Sequence, residues 1–277
     1  MTEPRVAGPL EAEGAGVRRV RVPSPTLPPA NDTNAWVLGD RDVIVVDPGS
    51  PWPATQASLA ARLDGLRVVA VFLTHHHIDH ASGALDLCAR TRAPLWSHAT
   101  TGERANLSLD RCIAPGEVLS TDAGDWTTVL TPGHADGHLC LHNGETGDVV
   151  AGDMVAGEGT ILLAPPDADL AAYLTSLQRL RDLSPRRLLP AHGPALAPAL
   201  PVLDEYIAHR HARTAQVLGC LSAGPLTALQ IAREVYPDLP AHFLGFAAVQ
   251  VQAHLDWLLH RAHVESVDSE HYAIPGA

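Results

Sequence analysis

The apolar positions of the first two-thirds of the chain fall into short runs separated by Gly, Pro and Asp. Val17–Val22, Asn34–Leu38 and Val43–Val46 predict strands, the last closed by the turn signal Asp47-Pro48-Gly49. Thr55–Leu63 has helical spacing, and Val68–Leu73 is an unbroken apolar run suited to a strand buried on both faces. Ala84–Arg90 predicts a helix, and Trp96 lies in a further short strand. Trp126–Leu130, Leu139–His142 and Val149–Ala151 add three more strands. Asp169–Leu183 is amphipathic over a helix's length, and Arg187–Leu189 is a strand running into Pro190-Ala191-His192-Gly193. Strands with interspersed helices predict layers of helix packed on sheet.

After Ala195–Pro201, a Pro/Ala stretch that reads as a hinge, the period changes. Asp204–Leu221, Thr227–Tyr236 and Phe243–His260 predict helices, with Val264–Val267 and His271–Ile274 as a closing hairpin. Three helices and a small hairpin outline a winged-helix module. Leu255, Trp257 and Leu258 read as core positions of its last helix. The expected organisation is thus 17–200 and 201–277.

Composition narrows the function classes. The 277 residues are 46% hydrophobic and 18% charged, ordinary for a folded chain, and the formal net charge is −12 with every basic residue an arginine. Such a chain does not attract polyanions through its bulk field, although a local arginine patch could. Cys88, Cys112, Cys140 and Cys220 are scattered, which predicts a reducing compartment and buried apolar roles. Met1–Gly16 carries acids and no apolar stretch, so it does not read as an export signal, and no apolar run has membrane-spanning length. A cytoplasmic location is expected.

The chemistry concentrates in Thr74-His75-His76-His77-Ile78-Asp79-His80, which begins where the buried strand Val68–Leu73 ends. His75, His77, Asp79 and His80 offer four metal donors within six residues. Neutral imidazoles with a carboxylate are donors that zinc prefers, and a turn at a strand end can aim them at shared ions. Downstream, His134 in Thr131-Pro132-Gly133-His134, Asp153 in Gly152-Asp153 and His192 in Ala191-His192-Gly193 each follow a predicted strand. His76 reads as packing or as support for the ligands. Asp47 reads equally as a turn former and as a hydrogen-bond acceptor for a ligand histidine. His138 reads as a substrate-orienting or a structural residue.

In this order the motifs resemble the metallo-β-lactamase-fold superfamily, whose H-x-H-x-D-H run, later His, bridging Asp and final His all have counterparts over residues 17–200. The resemblance implies an α/β fold, an αββα sandwich with the site at one edge between two sheets. It implies two divalent metal ions, zinc first, with manganese or iron as alternatives. His75, His77 and His134 would hold one ion, Asp79, His80 and His192 the other, and Asp153 would bridge them. Two such ions share a water and lower its pKa, giving a metal-bridged hydroxide at neutral pH. Asp79 would orient that nucleophile and pass a proton to the leaving group.

Within the superfamily, a secreted class B β-lactamase carries an export signal and Cys or Ser where Asp153 falls. A flavodiiron centre places Glu at His77, the β-CASP branch needs a long insert, and the persulfide dioxygenases use one iron. Thr131-Pro132-Gly133-His134-Ala135-Asp136-Gly137-His138, with Ala135 and Gly137 as departures, resembles instead the lactamase-beta-like group with a winged-helix tail. So do Gly152-Asp153-Met154-Val155-Ala156-Gly157-Glu158-Gly159-Thr160 and the tail from His209-Arg210 through Val235-Tyr236 to His254-Leu255. That group includes thioesterases and single-stranded RNA endoribonucleases. From Leu200 to Ala277, four Arg face eight acids, a net −4 that gives a poor footprint for nucleic acid. The expected activity is hydrolysis of a small-molecule ester or thioester, with RNA cleavage as the alternative. A third reading makes the tail a binding module, and a lid or a homodimer surface fits its charge better than DNA does.

Overall fold

The computed structural model describes residues 6–276; Met1–Arg5, part of the opening segment read as no export signal, lie outside them. In the first layer pair, β1 (Glu11–Gly14), β2 (Val17–Pro23), β3 (Asp32–Leu38) and β4 (Asp42–Val46) lead to α1 (Pro53–Arg62) and β5 (Arg67–Phe72). The short α2 (Ile78–Ala81), α3 (Ala84–Thr91), β6 (Leu95–Ser97), α4 (Ala99–Ala105) and β7 (Arg111–Cys112) follow. These strands form one seven-stranded sheet in the order β1 to β7, parallel from β4 onward. A second, five-stranded sheet has the order β12-β11-β10-β9-β8, from β8 (Val118–Thr121), β9 (Gly124–Leu130), β10 (Leu139–Asn143), β11 (Asp148–Gly152) and β12 (Arg187–Pro190), with the helix α5 (Leu170–Asp182) between the last two in sequence.

Strand periodicity assigns the layers. In β4, Val43 and Val45 pack outward with Leu59 of α1 and Leu87 of α3, while Ile44 and Val46 face inward. There they meet Trp126, Leu139, Leu141 and Val150 of the second sheet. The outer face of that sheet, with Cys140, Val149 and Ala151, is covered by Leu177 and Leu180 of α5. Because both faces of the central strands are buried, these strands read as unbroken apolar runs. The result is helix on sheet on sheet on helix.

The remainder is α6 (Ala199–Cys220), β13 (Leu226–Thr227), α7 (Ala228–Val235), α8 (Leu244–His260), β14 (Glu265–Ser266) and β15 (His271–Ala273), the three strands forming their own sheet. Val217, Leu221, Ile231, Val251, Leu255 and Leu258 make a separate core, and Trp257 is half-buried at its edge. The first of these helices starts at Ala199, ahead of the expected Asp204, because Pro198 caps it and Pro201 falls in the first turn, where proline is tolerated. The stretch read as a hinge is held in place: Leu196 and Leu188 exchange both backbone hydrogen bonds. Ala199 and Leu203 then enter the core beneath α5. Among the four free cysteines only Cys140 is buried, and Cys112 is exposed, against the expectation of buried roles. No helix among the described residues is long and apolar enough to cross a membrane.

His254 of α8 is fully buried and donates its Nδ1–H to Thr214 of α6 at 2.8 Å. Burial, with the charges of Arg210 and Arg213, brings its pKa down to about 3. The folded form therefore keeps His254 neutral, whereas the unfolded chain protonates it near 6.5, so stability is present above that pH and lost as the pH falls toward 3. Between pH 7 and pH 5 this group should remove about 2 kcal/mol of stability. Urea denaturation should show the wild type losing more stability than His254→Leu over this range by that amount; equal slopes would contradict the assignment.

Candidate metal centre

The strand ends along one edge of the sandwich converge on the histidine run. His75 follows β5, His134 follows β9, Asp153 follows β11 and His192 follows β12, while α2 carries Asp79 and His80. At the centre, Nε2 of His75 and Nε2 of His134 lie 3.0 and 2.9 Å from Nδ1 of His77. These are not hydrogen bonds, because the protons of all three rings are committed elsewhere. His75 Nδ1–H points to Thr74 Oγ1 at 3.0 Å, whose own proton goes to Asp47 at 2.7 Å. His134 Nδ1–H donates to the Leu162 carbonyl at 3.0 Å, and His77 Nε2–H to Asp167 at 2.9 Å. Three imidazole lone pairs thus face one point, a repulsive arrangement unless a cation sits there. Three corners of a tetrahedron with zinc–nitrogen bonds would stand roughly 3.3 Å apart.

The second cluster is Asp79, His80 and His192, whose donor atoms lie within 4.8 Å of one another. His80 Nδ1–H donates to Asp47 at 2.9 Å and His192 Nδ1–H to the Asp32 carbonyl at 3.0 Å, so both Nε2 lone pairs point into the site. Asp153 stands between the clusters, with Oδ2 3.5 Å from His134 and Oδ1 3.5 Å from both His80 and His192. His80 Nε2 and Asp153 Oδ1 are buried and have no hydrogen-bond partner. Orphaned donors of this kind are what a metal ion would satisfy. The residues present fit a pair of ions, four donors to each with Asp153 counted twice.

Electrostatics follow the same division. Burial, reinforced by neighbouring imidazoles, holds His75 well below its ordinary pKa, and burial brings His134 down to about 4. Both are therefore neutral, as ligation requires. Burial also opposes a charge on His80, but Asp153, Asp47 and Asp79 outweigh it and raise its pKa well above the usual value. Burial resists ionisation of Asp79 too, and His80 and His192 overcome it, bringing that carboxyl to about 2.

Asp47 joins its two expected roles. Its φ of 51° makes the turn after β4, and its carboxylate accepts from Thr74 N, Thr74 Oγ1 and His80 Nδ1. His138 is fully buried; it bonds Thr131 Oγ1 at 2.8 Å and accepts Asp153 N–H at 3.3 Å, which fixes the backbone under Asp153. His76 shares Asp167 with His77, at 3.0 Å. Four supporting residues were not singled out from the sequence: Thr74, Asp167, Thr33, which holds the Asp79 carbonyl, and Asn34, whose amide holds Pro190 O and Gly193 O around His192.

The centre opens into a cleft of about 350 Å³. Its apolar walls include Leu27, Ile78, Leu162 and Ala164, and its acidic residues among those described are Glu158 and Asp167 beside the candidate ligands Asp79 and Asp153. A wider groove of about 560 Å³ along α5, α6 and α8 carries none of the ligand histidines.

Residues 28–192, which contain all seven candidate ligands, match the family profile of the metallo-beta-lactamase superfamily. Beta-lactamase-like protein 2 homolog of Caenorhabditis elegans is 27% identical over 243 residues, covering 84% of this chain and 80% of that protein. A metallo-beta-lactamase family protein from Thermus thermophilus superposes with a TM-score of 0.80 at 25% identity, over 95% of this chain and all of that one. TTHA1623, solved in a di-iron-bound form, gives a TM-score of 0.51 at 27% identity, over 63% of this chain and 94% of that one.

Proposed function

Because the chain belongs to the metallo-beta-lactamase superfamily, a family of metal-dependent hydrolases, we propose that it is a binuclear enzyme cleaving an uncharged small-molecule ester or thioester. The observation that carries this reading is the convergence of the His75, His77 and His134 lone pairs beside the orphaned His80 Nε2 and Asp153 Oδ1. His75, His77 and His134 would hold one ion, Asp79, His80 and His192 the other, with Asp153 shared. Imidazole and carboxylate donors suit zinc first; manganese or iron also accept them. When bound, the two cations supply a water that ionises near neutrality and positive charge against a developing oxyanion.

The chain's own residues do the rest. Asp79, 14% exposed at the cleft floor, presents its Oδ atoms to hold the attacking water's proton and return it to the leaving group. Leu27, Ile78 and Leu162 exclude bulk water and favour an apolar acyl group. Among the described residues no arginine lines the cleft, and cationic side chains are what a phosphodiester backbone requires, so the ester reading stands ahead of RNA cleavage. We read residues 201–277 as a winged-helix-like unit, supported by its three helices, its small sheet and its separate core. Four free thiols favour a cytoplasmic setting.

Metal analysis of the full chain should find close to two transition-metal ions. The loaded protein should hydrolyse members of an ester and thioester panel and lose that activity on chelation. Single-stranded RNA, assayed in parallel, should stay intact. RNA cleavage without ester hydrolysis would reverse the substrate assignment, and fewer than one ion per chain would remove the binuclear reading.

A further inference from the structure

No helix or strand lies between β11, which ends at Gly152, and α5, which begins at Leu170. That segment nevertheless carries Asp153 and the carbonyl of Leu162 that orients His134. Its backbone groups must find partners elsewhere, since a buried amide without one is costly. Around Leu162 the partners come from the C-terminal helices. Leu163 N–H donates to Oε1 of Gln250 in α8 at 3.0 Å, and Nη2 of Arg210 in α6 donates to Ile161 O at 2.6 Å. Both flanks of Leu162 are therefore pinned by side chains that are 7% and 4% exposed. One turn before Arg210, the Tyr206 hydroxyl accepts Ala156 N–H at 2.9 Å and donates to Ala156 O at 3.1 Å. The Arg210 guanidinium also lies 5.1 Å over the ring of Tyr173, whose hydroxyl donates to Met154 O beside Asp153.

We infer that Gln250 and Arg210 are positioning residues of the metal centre, setting the His134 imidazole through the Ile161–Leu163 backbone. The C-terminal helices then belong to the site and are not an appended module. The Gln250 contact acts on one ion, whereas Arg210, packed over the Tyr173 ring that holds Met154 O beside the shared Asp153, reaches both. His80 and His192, which would hold the other, donate their outer hydrogen bonds to Asp47 and Asp32, both in the first sheet's strand region. Losing an outer partner of a ligand typically weakens a metal site by 10- to 100-fold, and Gln250 acts one bond further out.

The inference rests on reading His134 as a ligand, and the titration separates the two. Full-length protein is loaded with zinc in competition with a chelator, which resolves two affinities, and metal-free thermal unfolding is followed alongside. Gln250→Met should weaken one ion by about ten-fold and leave the other within two-fold, and Arg210→Met should weaken that same ion at least as much. Gln250→Glu, which keeps an acceptor oxygen, should restore most of the loss. Should Gln250→Met not fold, Gln250→Asn, which retracts the same amide by one methylene, carries the measurement. Wild-type protein that binds fewer than two ions would overturn the ligand reading. Two ions bound by wild type, with both affinities unchanged or equally reduced in Gln250→Met, would overturn the positioning role alone.

Discussion

Asp79→Ala is expected to lower kcat/KM for ester hydrolysis by at least about three orders of magnitude while the chain stays folded. A positioned proton-transfer group contributes roughly 10²–10⁴-fold, and this side chain also supplies a metal donor. Its Oδ2 lies 3.4 Å from His192 Nε2 and its Oδ1 3.9 Å from His80 Nε2, so the second cluster loses one of its donors. The first cluster is untouched, because His75, His77 and His134 donate their outer hydrogen bonds to Thr74, Asp167 and Leu162. Metal content should accordingly fall from two ions toward one. The backbone has no reason to move, since the Asp79 carbonyl is held by Thr33 whatever the side chain, and alanine suits α2. Steady-state kinetics, metal analysis and thermal unfolding of the metal-free protein check the three parts. Activity within ten-fold of wild type would show that Asp79 does not act at the reacting centre.

The candidate-ligand side chains are legible in sequence. His75, His77, Asp79 and His80 crowd one turn, and His134, Asp153 and His192 each sit just beyond an apolar run that a strand must bury. The layering was equally legible, because period-2 and unbroken apolar runs state which faces are covered. The outer partners were not. Leu162 and Asp32 act through backbone carbonyls, which leave no mark on residue type. Asp167 follows Pro165-Pro166, where an acid reads as ordinary turn chemistry; only the fold carries it to His76 and His77. β7 and β13 span two residues each, too short for any period to register. The start of α6 was misplaced because its first turn consists of the Pro/Ala residues that also make hinges. What the sequence withheld is therefore long-range and mostly main-chain, and that same class of contact joins Gln250 and Arg210 to the backbone at Leu163 and Ile161.

Main-chain contact also governs the largest stability effect expected here. Gly133 precedes His134 with φ of 123°, a conformation that side chains rarely adopt. A Cβ there would meet Tyr173 N at 2.1 Å, Tyr173 Cα at 2.4 Å and Ala172 C at 2.7 Å. All three atoms belong to the backbone of the first turns of α5, so no side chain can rotate aside. The contact is closed from several directions: Asp169 N–H donates to Gly133 O at 2.9 Å, Ser176 Oγ to Pro132 O at 2.7 Å, and Tyr173 N–H to Asp169 O at 2.9 Å. Gly133→Ala must therefore push the start of α5 off the turn or swing His134 away from His77. Either route should cost upward of about 4 kcal/mol, the range of clashes and strain that cannot relax. Zinc affinity of any folded fraction should fall with it. Gly219→Ala is the matched control: it lies within α6 with nothing inside 4 Å of its added Cβ, and alanine there should be neutral or stabilising by about 0.5–1 kcal/mol. Urea denaturation and zinc titration of both variants measure the contrast. A Gly133→Ala protein within about 1 kcal/mol of wild type, with two ions bound, would mean that the turn bearing His134 is free to move and that the helix behind it does not fix the ligand.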